Sequence, residues 1–313
     1  MASLSRRLCL LGGITVAASP LLPRPLRAQE EIDLSPAQPH RVRAQKVEEA
    51  IRLLPRDLRL ANAGKLTVAT NPGRFPFGGY ATDSRTPIGA EIDIAQLVAD
   101  SLGLTLEVVP TAWADWPLGL ISGKFDAVTS NVTVTEERKQ RFDFSTYRND
   151  LLGFYVAVES RLQAIAKPED VAGLKVIVSS GTNQEQILLR WIEANRAKGL
   201  PNTEVQYYDD EAVLDLALQS GRADAYLGPN ATSAFKAARQ RKTRLVGTFS
   251  GGWPVTAEIA VTTKKGVGLA EPITVALNAQ IEAGTYARAL GRWNLSAEAI
   301  QRSRTNPPGL PPK

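Results

Sequence analysis

Apolar positions along the chain fall into two alternating kinds of segment. Lys65–Thr70, Leu104–Pro110, Phe125–Ser130 and Leu151–Val158 are short apolar or β-branched runs that read as strands. Between them the spacing is helical: Ile92–Leu102 places Ile94, Leu97, Val98 and Leu102 on one face and stops at Gly103. A short helix follows with Asp115 near its cap and Pro117 in its first turn, and Thr135–Arg141 reads as a helical turn. The alternation restarts at Lys175. Lys175–Ser180, Glu204–Tyr208, Ala223–Gly228 and Glu258–Thr263 are predicted strands. Asn183–Ala197, Asp210–Ser220, Pro229–Arg239, Glu271–Ala283 and Tyr286–Arg292 are predicted helices. Upstream, Val42–Leu60 reads as an amphipathic helix interrupted at Pro55. Strands separated by helices of this length imply an α/β fold with mainly parallel sheets covered on both faces. Two such runs imply two lobes.

The first 28 residues stand apart. Arg6-Arg7 precedes an apolar run from Leu8 to Ala18, and Leu26-Arg27-Ala28 offers a cleavage site, so residues 1–28 are expected to be an export signal. Ser5-Arg6-Arg7-Leu8-Cys9-Leu10 also resembles a twin-arginine motif, which leaves the Sec and twin-arginine routes both open. This leader accounts for most of the basic excess. Without Arg6, Arg7, Arg24 and Arg27, the 37 basic side chains fall to 33, against 32 acidic ones. A nucleic-acid or membrane-surface role therefore has no support from charge. Cys9 lies within the leader, so the mature chain is expected to have no cysteine and hence no disulfide or thiol nucleophile. His40 is the single histidine and sits in a proline-flanked stretch, where it reads as an exposed tail residue. A Ser-His-Asp triad and a two-histidine metal site are excluded by count or position.

In parallel sheets ligands sit beyond the carboxyl ends of strands, at loops that enter helices. Ser130-Asn131-Val132-Thr133-Val134-Thr135-Glu136-Glu137-Arg138 is one such loop, rich in hydroxyls, with Thr135 as cap and Arg138 in the first turn. A guanidinium there presents a planar fork that matches a carboxylate, or pairs with Asp143 or a surface acid. Ser179-Ser180-Gly181-Thr182-Asn183-Gln184-Glu185 is a second. Thr182 and Glu185 form a capping box, and the helix start suits an anion. Tyr226-Leu227-Gly228-Pro229-Asn230 is a third; Asn71, Arg74 and Phe77 follow the first strand, and Trp113 precedes a helix.

Taken in order, these segments resemble the polar amino-acid family (family 3) of ABC-transporter periplasmic solute-binding proteins. Gly89-Ala90-Glu91-Ile92-Asp93-Ile94 is similar to the family's G-[FY]-[DE]-x-D-[LIV] segment, Ser122-Gly123-Lys124-Phe125-Asp126-Ala127 to S-G-K-[YF]-D-A, and Thr133–Arg138 to [ST]-[IV]-T-x-x-R. Phe142-Asp143-Phe144-Ser145, Gly173-Leu174-Lys175-Val176, Gly181-Thr182 and Ser220-Gly221-Arg222-Ala223-Asp224-Ala225 follow in register, so the likeness runs from about Lys65 to Trp293. The resemblance implies a type II periplasmic binding fold with two lobes joined by two crossover strands. Residues 60–155 plus 258–313 would form the first lobe, 156–257 the second, and 29–60 an N-terminal extension with a helix. It also implies that Arg138 clamps a ligand carboxylate. Ser130, Asn131 and Thr133, Thr182 and Asn183, Trp113, and Asn71, Arg74 and Phe77 would complete the site.

One position departs from the pattern. An aspartate that holds the ligand's α-ammonium usually follows the D-A-x-x run, and here Pro229 stands in its place. Either Glu258 or another acid substitutes, or the ligand lacks a free amino group and is an N-substituted amino acid, an organic carboxylate or an aromatic acid stacked on Trp113. The expected function is capture of an amino acid or amino-acid-like carboxylate by lobe closure, for the membrane permease of an ABC importer. The chain would act as a periplasmic monomer, with no cofactor, no metal and no nucleic-acid partner. The rival readings are an enzyme on the same fold, similar to a cyclohexadienyl dehydratase, and the sensor module of a receptor.

Overall fold

A computed structural model describes residues 32–208 and 210–311. The expected leader lies outside the described residues. In chain order the elements are α1 Glu48–Arg52, β1 Lys65–Thr70, β2 Gly79–Tyr80, β3 Pro87–Ile88, α2 Ala90–Ser101, β4 Thr105–Pro110, α3 Trp116–Ser122, β5 Ala127–Val128, β6 Phe142–Asn149 and β7 Leu151–Ala157. They continue with β8 Lys175–Ile177, α4 Asn183–Ala197, β9 Glu204–Gln206, α5 Glu211–Gln219, β10 Ala225–Pro229, α6 Asn230–Gln240, β11 Thr243–Ser250, β12 Glu258–Lys264, α7 Ala270–Glu282 and α8 Thr285–Gly291.

Two five-stranded sheets carry the fold, in the orders β4-β1-β5-β12-β6 and β11-β7-β10-β8-β9. Each is parallel across three strands and antiparallel across the remaining pairings, because β6, β7, β11 and β12 carry the chain between the sheets. The passages fall at Asp150, between β6 and β7, and between Ser250 and Glu258. β7, expected in the first lobe's share up to residue 155, pairs instead with β10 and β11 of the second sheet.

Separate apolar cores anchor the sheets. In the first, Ile94, Leu97 and Val98 of α2 and Ile273, Ala276 and Leu277 of α7 pack with Leu66 and Val68 on one face, and Trp116 and Leu120 of α3 cover the other. In the second, Ile187, Leu188 and Trp191 of α4 cover Phe154, Val176 and Leu227, while Leu214 and Leu218 of α5 pack on Ile177 and Tyr226. Burying each such side chain is worth about 1.5–3 kcal/mol.

The helix expected over Val42–Leu60 is only Glu48–Arg52. Tertiary ion pairs hold the stretch before it extended: Arg41 pairs with Asp93 at 3.0 Å and Arg43 with Asp100 at 2.6 Å. The strand expected over Phe125–Ser130 shrinks to β5, and β2, β3, β6 and β11 were not anticipated.

Candidate functional site

Several motif acids hold the frame of the site. Asp126 accepts the N–H groups of Ala61 and Thr67 at 2.7 and 2.8 Å, pinning the entry to β1. Asp93, fully buried, takes Arg41 at 3.0 Å and the Trp293 indole at 2.9 Å, and also bonds Arg292. Asp224 accepts the Lys175 N–H at 2.7 Å at the start of β8. Asp126 and Asp224 thus fix strands whose ends open on the cleft, and Asp93 ties helix α2 to the N- and C-terminal segments.

Between the sheets lies a narrow cavity. Thr70, Asn71, Arg74, Phe77, Glu91, Trp113, Ser130 and Asn131 line it from the first lobe, and Thr182, Asn183, Gln184 and Pro229 from the second. Of the residues expected at the site, Asn71, Arg74, Phe77, Trp113, Ser130, Asn131, Thr182 and Asn183 meet here. Ser130 Oγ accepts the Asn71 N–H at 2.7 Å, which joins the two loops of the first sheet. Thr70 is buried and its hydroxyl has no partner among the described residues.

The second lobe presents the N-terminus of α4. Thr182 Oγ1 accepts the Glu185 N–H at 3.3 Å and donates to Ser179 at 2.6 Å, while Glu185 accepts the Gly181 N–H at 2.7 Å. This capped start sets the positive end of the helix dipole at the cavity wall. Asn183, its first helical residue, bridges the lobes: its amide donates to Asp150 Oδ2 at 2.7 Å and to the Gly251 carbonyl at 2.6 Å, and its oxygen accepts from Thr133 at 3.1 Å. Thr133 does not line the cavity; its hydroxyl belongs to this bridge.

Arg138 does not line that cavity either. It borders an adjoining pocket that shares Thr182 and Asn183 with the cavity. Thr135 caps its turn, accepting the Arg138 N–H at 3.1 Å. The guanidinium lies 5.5 Å from the Trp113 ring and 5.9 Å from Trp116. Nη1 donates to the Thr133 carbonyl at 2.8 Å and Nη2 to the Gly181 carbonyl at 3.2 Å, one from each lobe. Among the described residues no carboxylate pairs with Arg138. Burial lowers its pKa to about 10, so it stays a cation at neutral pH.

Arg74 reaches across the cleft to Glu211 at 3.1 Å, and Lys236 takes the other Glu211 oxygen at 2.6 Å. Phe75 meets Phe235 on the same side, with ring centroids 5.4 Å apart. Glu258 pairs with Arg304 at 2.8 Å and is not among the cavity residues. The cavity carboxylate is Glu91, which sequence reasoning placed in a motif but not at the site; Thr70 and Gln184 were missed as well.

Two α/β lobes joined by two passages, with a donor-lined cavity between them, define a solute-binding protein of the type II fold. The model of the bacterial extracellular solute-binding proteins, family 3, matches residues 66–296, and the chain belongs to that family. It is 32% identical over 156 residues to the L-cystine-binding protein TcyJ of Escherichia coli, covering 50% of this chain and 55% of that protein. It is 27% identical over 169 residues to the cyclohexadienyl dehydratase of Pseudomonas aeruginosa, covering 53% and 59%. The chain thus spans little more than half the length of these relatives. Among solved structures, an ancestral arginine-binding protein bound to arginine superposes with a TM-score of 0.64 at 28% identity, over 75% of this chain and 99% of that one. Among the described residues, no helix is long and apolar enough to cross a membrane.

Proposed function

We propose that this chain is the periplasmic substrate-binding component of an ABC importer, capturing an amino acid or amino-acid-like carboxylate by lobe closure and delivering it to a membrane permease. One observation carries the reading. Arg138 is a partly buried cation at the cleft whose side-chain hydrogen bonds go to two backbone carbonyls, one from each lobe. A carbonyl dipole is a weak substitute for an anion, so a ligand carboxylate arriving beside the α4 N-terminus would displace the longer bond to Gly181 and take both nitrogens of the fork. Residues 60–149 with 258–313, and 151–250, would then act as two bodies turning about Asp150 and the Gly251–Ala257 passage. The ligand would bind the closed arrangement better and shift the population toward it. Export through a leader cleaved near Ala28, and action as a monomer, belong to the same reading.

The likeness to a cyclohexadienyl dehydratase brings an enzymatic alternative, which would need a proton donor in the cavity. Glu91, the one carboxylate among the described lining residues, is tied to Arg148 and Tyr147, which favours binding without turnover.

The test is a thermal-shift screen of the mature chain against amino acids, N-modified amino acids and organic carboxylates. A shift that disappears in Arg138→Ala supports the reading. Release of phenylpyruvate from prephenate, or of phenylalanine from arogenate, at a catalytic rate would replace it with the enzymatic one.

A further inference from the structure

Beneath the cavity the buried acids outnumber the cations available to them. Glu91 opens helix α2 and is 1% exposed. Its Oε1 accepts from Arg148 Nη2 at 2.9 Å, and its Oε2 from the Tyr147 hydroxyl. Arg148, on β6 and also 1% exposed, is shared: Nη1 donates to Glu298 Oε2 at 2.5 Å, and Nη2 also bonds the Asn131 side chain. Two carboxylates therefore face one guanidinium, whose Nε has no partner among the described residues. Asp150 adds a third buried carboxylate, with Oδ1 unpartnered. The other guanidinium that acts on Asp150 is Arg138, which the proposed function assigns to the ligand. The imbalance registers at Glu298: burial first, then Asp150 and Glu91, raise its pKa to about 7 despite the bond to Arg148.

We propose that Glu91 receives the ligand's α-ammonium, supplying the acid that Pro229 withholds on the opposite wall. This rests on the proposed function, because Arg138 must take the carboxylate for the ammonium to fall within the cavity. Tyr147 and Arg148 orient the Glu91 carboxylate and occupy one acceptor site on each oxygen, which leaves capacity for an incoming N–H. A ligand cation beside Glu91 also matches the excess negative charge under the cavity. The ligand class is then a zwitterionic α-amino acid with a free ammonium, in place of the N-substituted or plain acids that Pro229 suggests when considered alone.

The experiment compares binding of the standard amino acids with that of their Nα-acetyl derivatives by calorimetry, in the wild type and in Glu91→Gln. Glutamine keeps the shape and a hydrogen-bonding oxygen but not the charge. The expected result is a free amino acid that binds the wild type more tightly than its acetyl derivative. That ligand should lose roughly 10–150-fold in the variant, with the acetyl derivative changed little. Equal weakening of both, or no weakening, makes Glu91 structural and overturns the proposal. So does a wild type that prefers acetylated ligands, and Arg138-dependent binding of those ligands would leave the proposed function standing. If Glu91→Gln does not fold, a wild-type measurement decides. The charged and titratable groups facing Glu298 are Arg148, Glu91, Asp150 and Tyr286. An ammonium entering among them should drive off its proton. The binding heat at pH 7 should then vary with the buffer's ionisation enthalpy for the free amino acid and not for its acetyl derivative; equal variation overturns the proposal.

Discussion

Arg138 and Gly181 meet across the cleft, the guanidinium Nη2 of one lobe donating to the backbone carbonyl of the other at 3.2 Å. The contact closes the lobes with the group that the ligand is expected to claim. Arg138→Ala should therefore remove both the bond and the clamp. A charge-assisted bidentate pair lost from a partly buried site predicts a fall in affinity of roughly 10–150-fold, read by calorimetry. Arg138→Lys should recover only part of it, because an ammonium cannot reproduce the planar fork. Full affinity in Arg138→Ala would remove this arginine from the site.

Asn183 makes closure a property of the chain as well as of the ligand. Its amide joins Asp150 and Gly251 while its oxygen takes the Thr133 hydroxyl, so every polar atom is committed when the lobes meet. Asn183→Leu should strand the Asp150 carboxylate, which burial already holds above its usual range. An unpaired buried group costs about 1–3 kcal/mol. The closed form should lose population, seen as a larger radius of gyration by small-angle scattering without ligand. An unchanged radius would show that Asn183 plays no part in holding the lobes.

Legibility in the sequence followed locality. Helix α4 is found at Asn183–Ala197 as its pattern predicts, because Thr182 and Glu185 cap it and its apolar face is continuous. The cavity loops were legible for the same reason, as strand ends followed by Gly, Asn and hydroxyl residues. Val42–Leu60 failed as a helix because Asp93 and Asp100, far along the chain, hold Arg41 and Arg43 in an extended segment. Arg148 was invisible as a buried residue. Its partners Glu91 and Glu298 lie 57 and 150 positions away, and a lone arginine in Phe142–Asn149 reads as surface. The motif aspartates were legible as family marks, whereas their work as backbone pins depends on partners brought to them only by the fold.

Arg74 and Glu211 form a second contact across the cleft, with Glu211 shared by Lys236. Burial would raise Glu211, but Arg74 and Lys236 hold its pKa below the ordinary value. Both partners are partly exposed, so a double-mutant cycle with Arg74→Gln and Glu211→Gln should give a coupling of only about 0.2–1 kcal/mol in unfolding free energy. The coupling should shrink at high salt, and a salt-independent value would mark a contact more buried than described.

Glu298 sets a pH dependence whose sign follows from its surroundings. Its folded pKa is about 7, against 4.5 without the fold, with burial the largest cause. Between those values the folded chain holds a proton that the unfolded chain has released, so stability falls as pH rises through this window and levels off above it. The contribution is up to about 3 kcal/mol. In urea melts at pH 5 and pH 8, the wild type should lose more stability on going to pH 8 than Glu298→Gln does. Equal losses would show that Glu298 titrates normally.

The C-terminal segment braces the arginine loop from outside. Leu310 donates its N–H to the Val134 carbonyl at 3.0 Å and accepts the Glu136 N–H at 2.9 Å, which clamps the turn whose cap, Thr135, holds the Arg138 N–H. Gly309 permits this approach: a Cβ there would lie 2.6 Å from the Thr135 carbonyl carbon and 2.8 Å from the Glu136 nitrogen, both backbone atoms that cannot swing away. Gly309→Ala should therefore lift the segment off the loop, at about 1–3 kcal/mol of overpacking strain. Because the guanidinium hangs from this turn, affinity for a carboxylate ligand should fall as well, about 10-fold or more if the fork is displaced by 1 Å. Leu310→Ala keeps both backbone bonds and should leave affinity near the wild-type value. Equal binding by Gly309→Ala and the wild type would show that the loop holds Arg138 without this support.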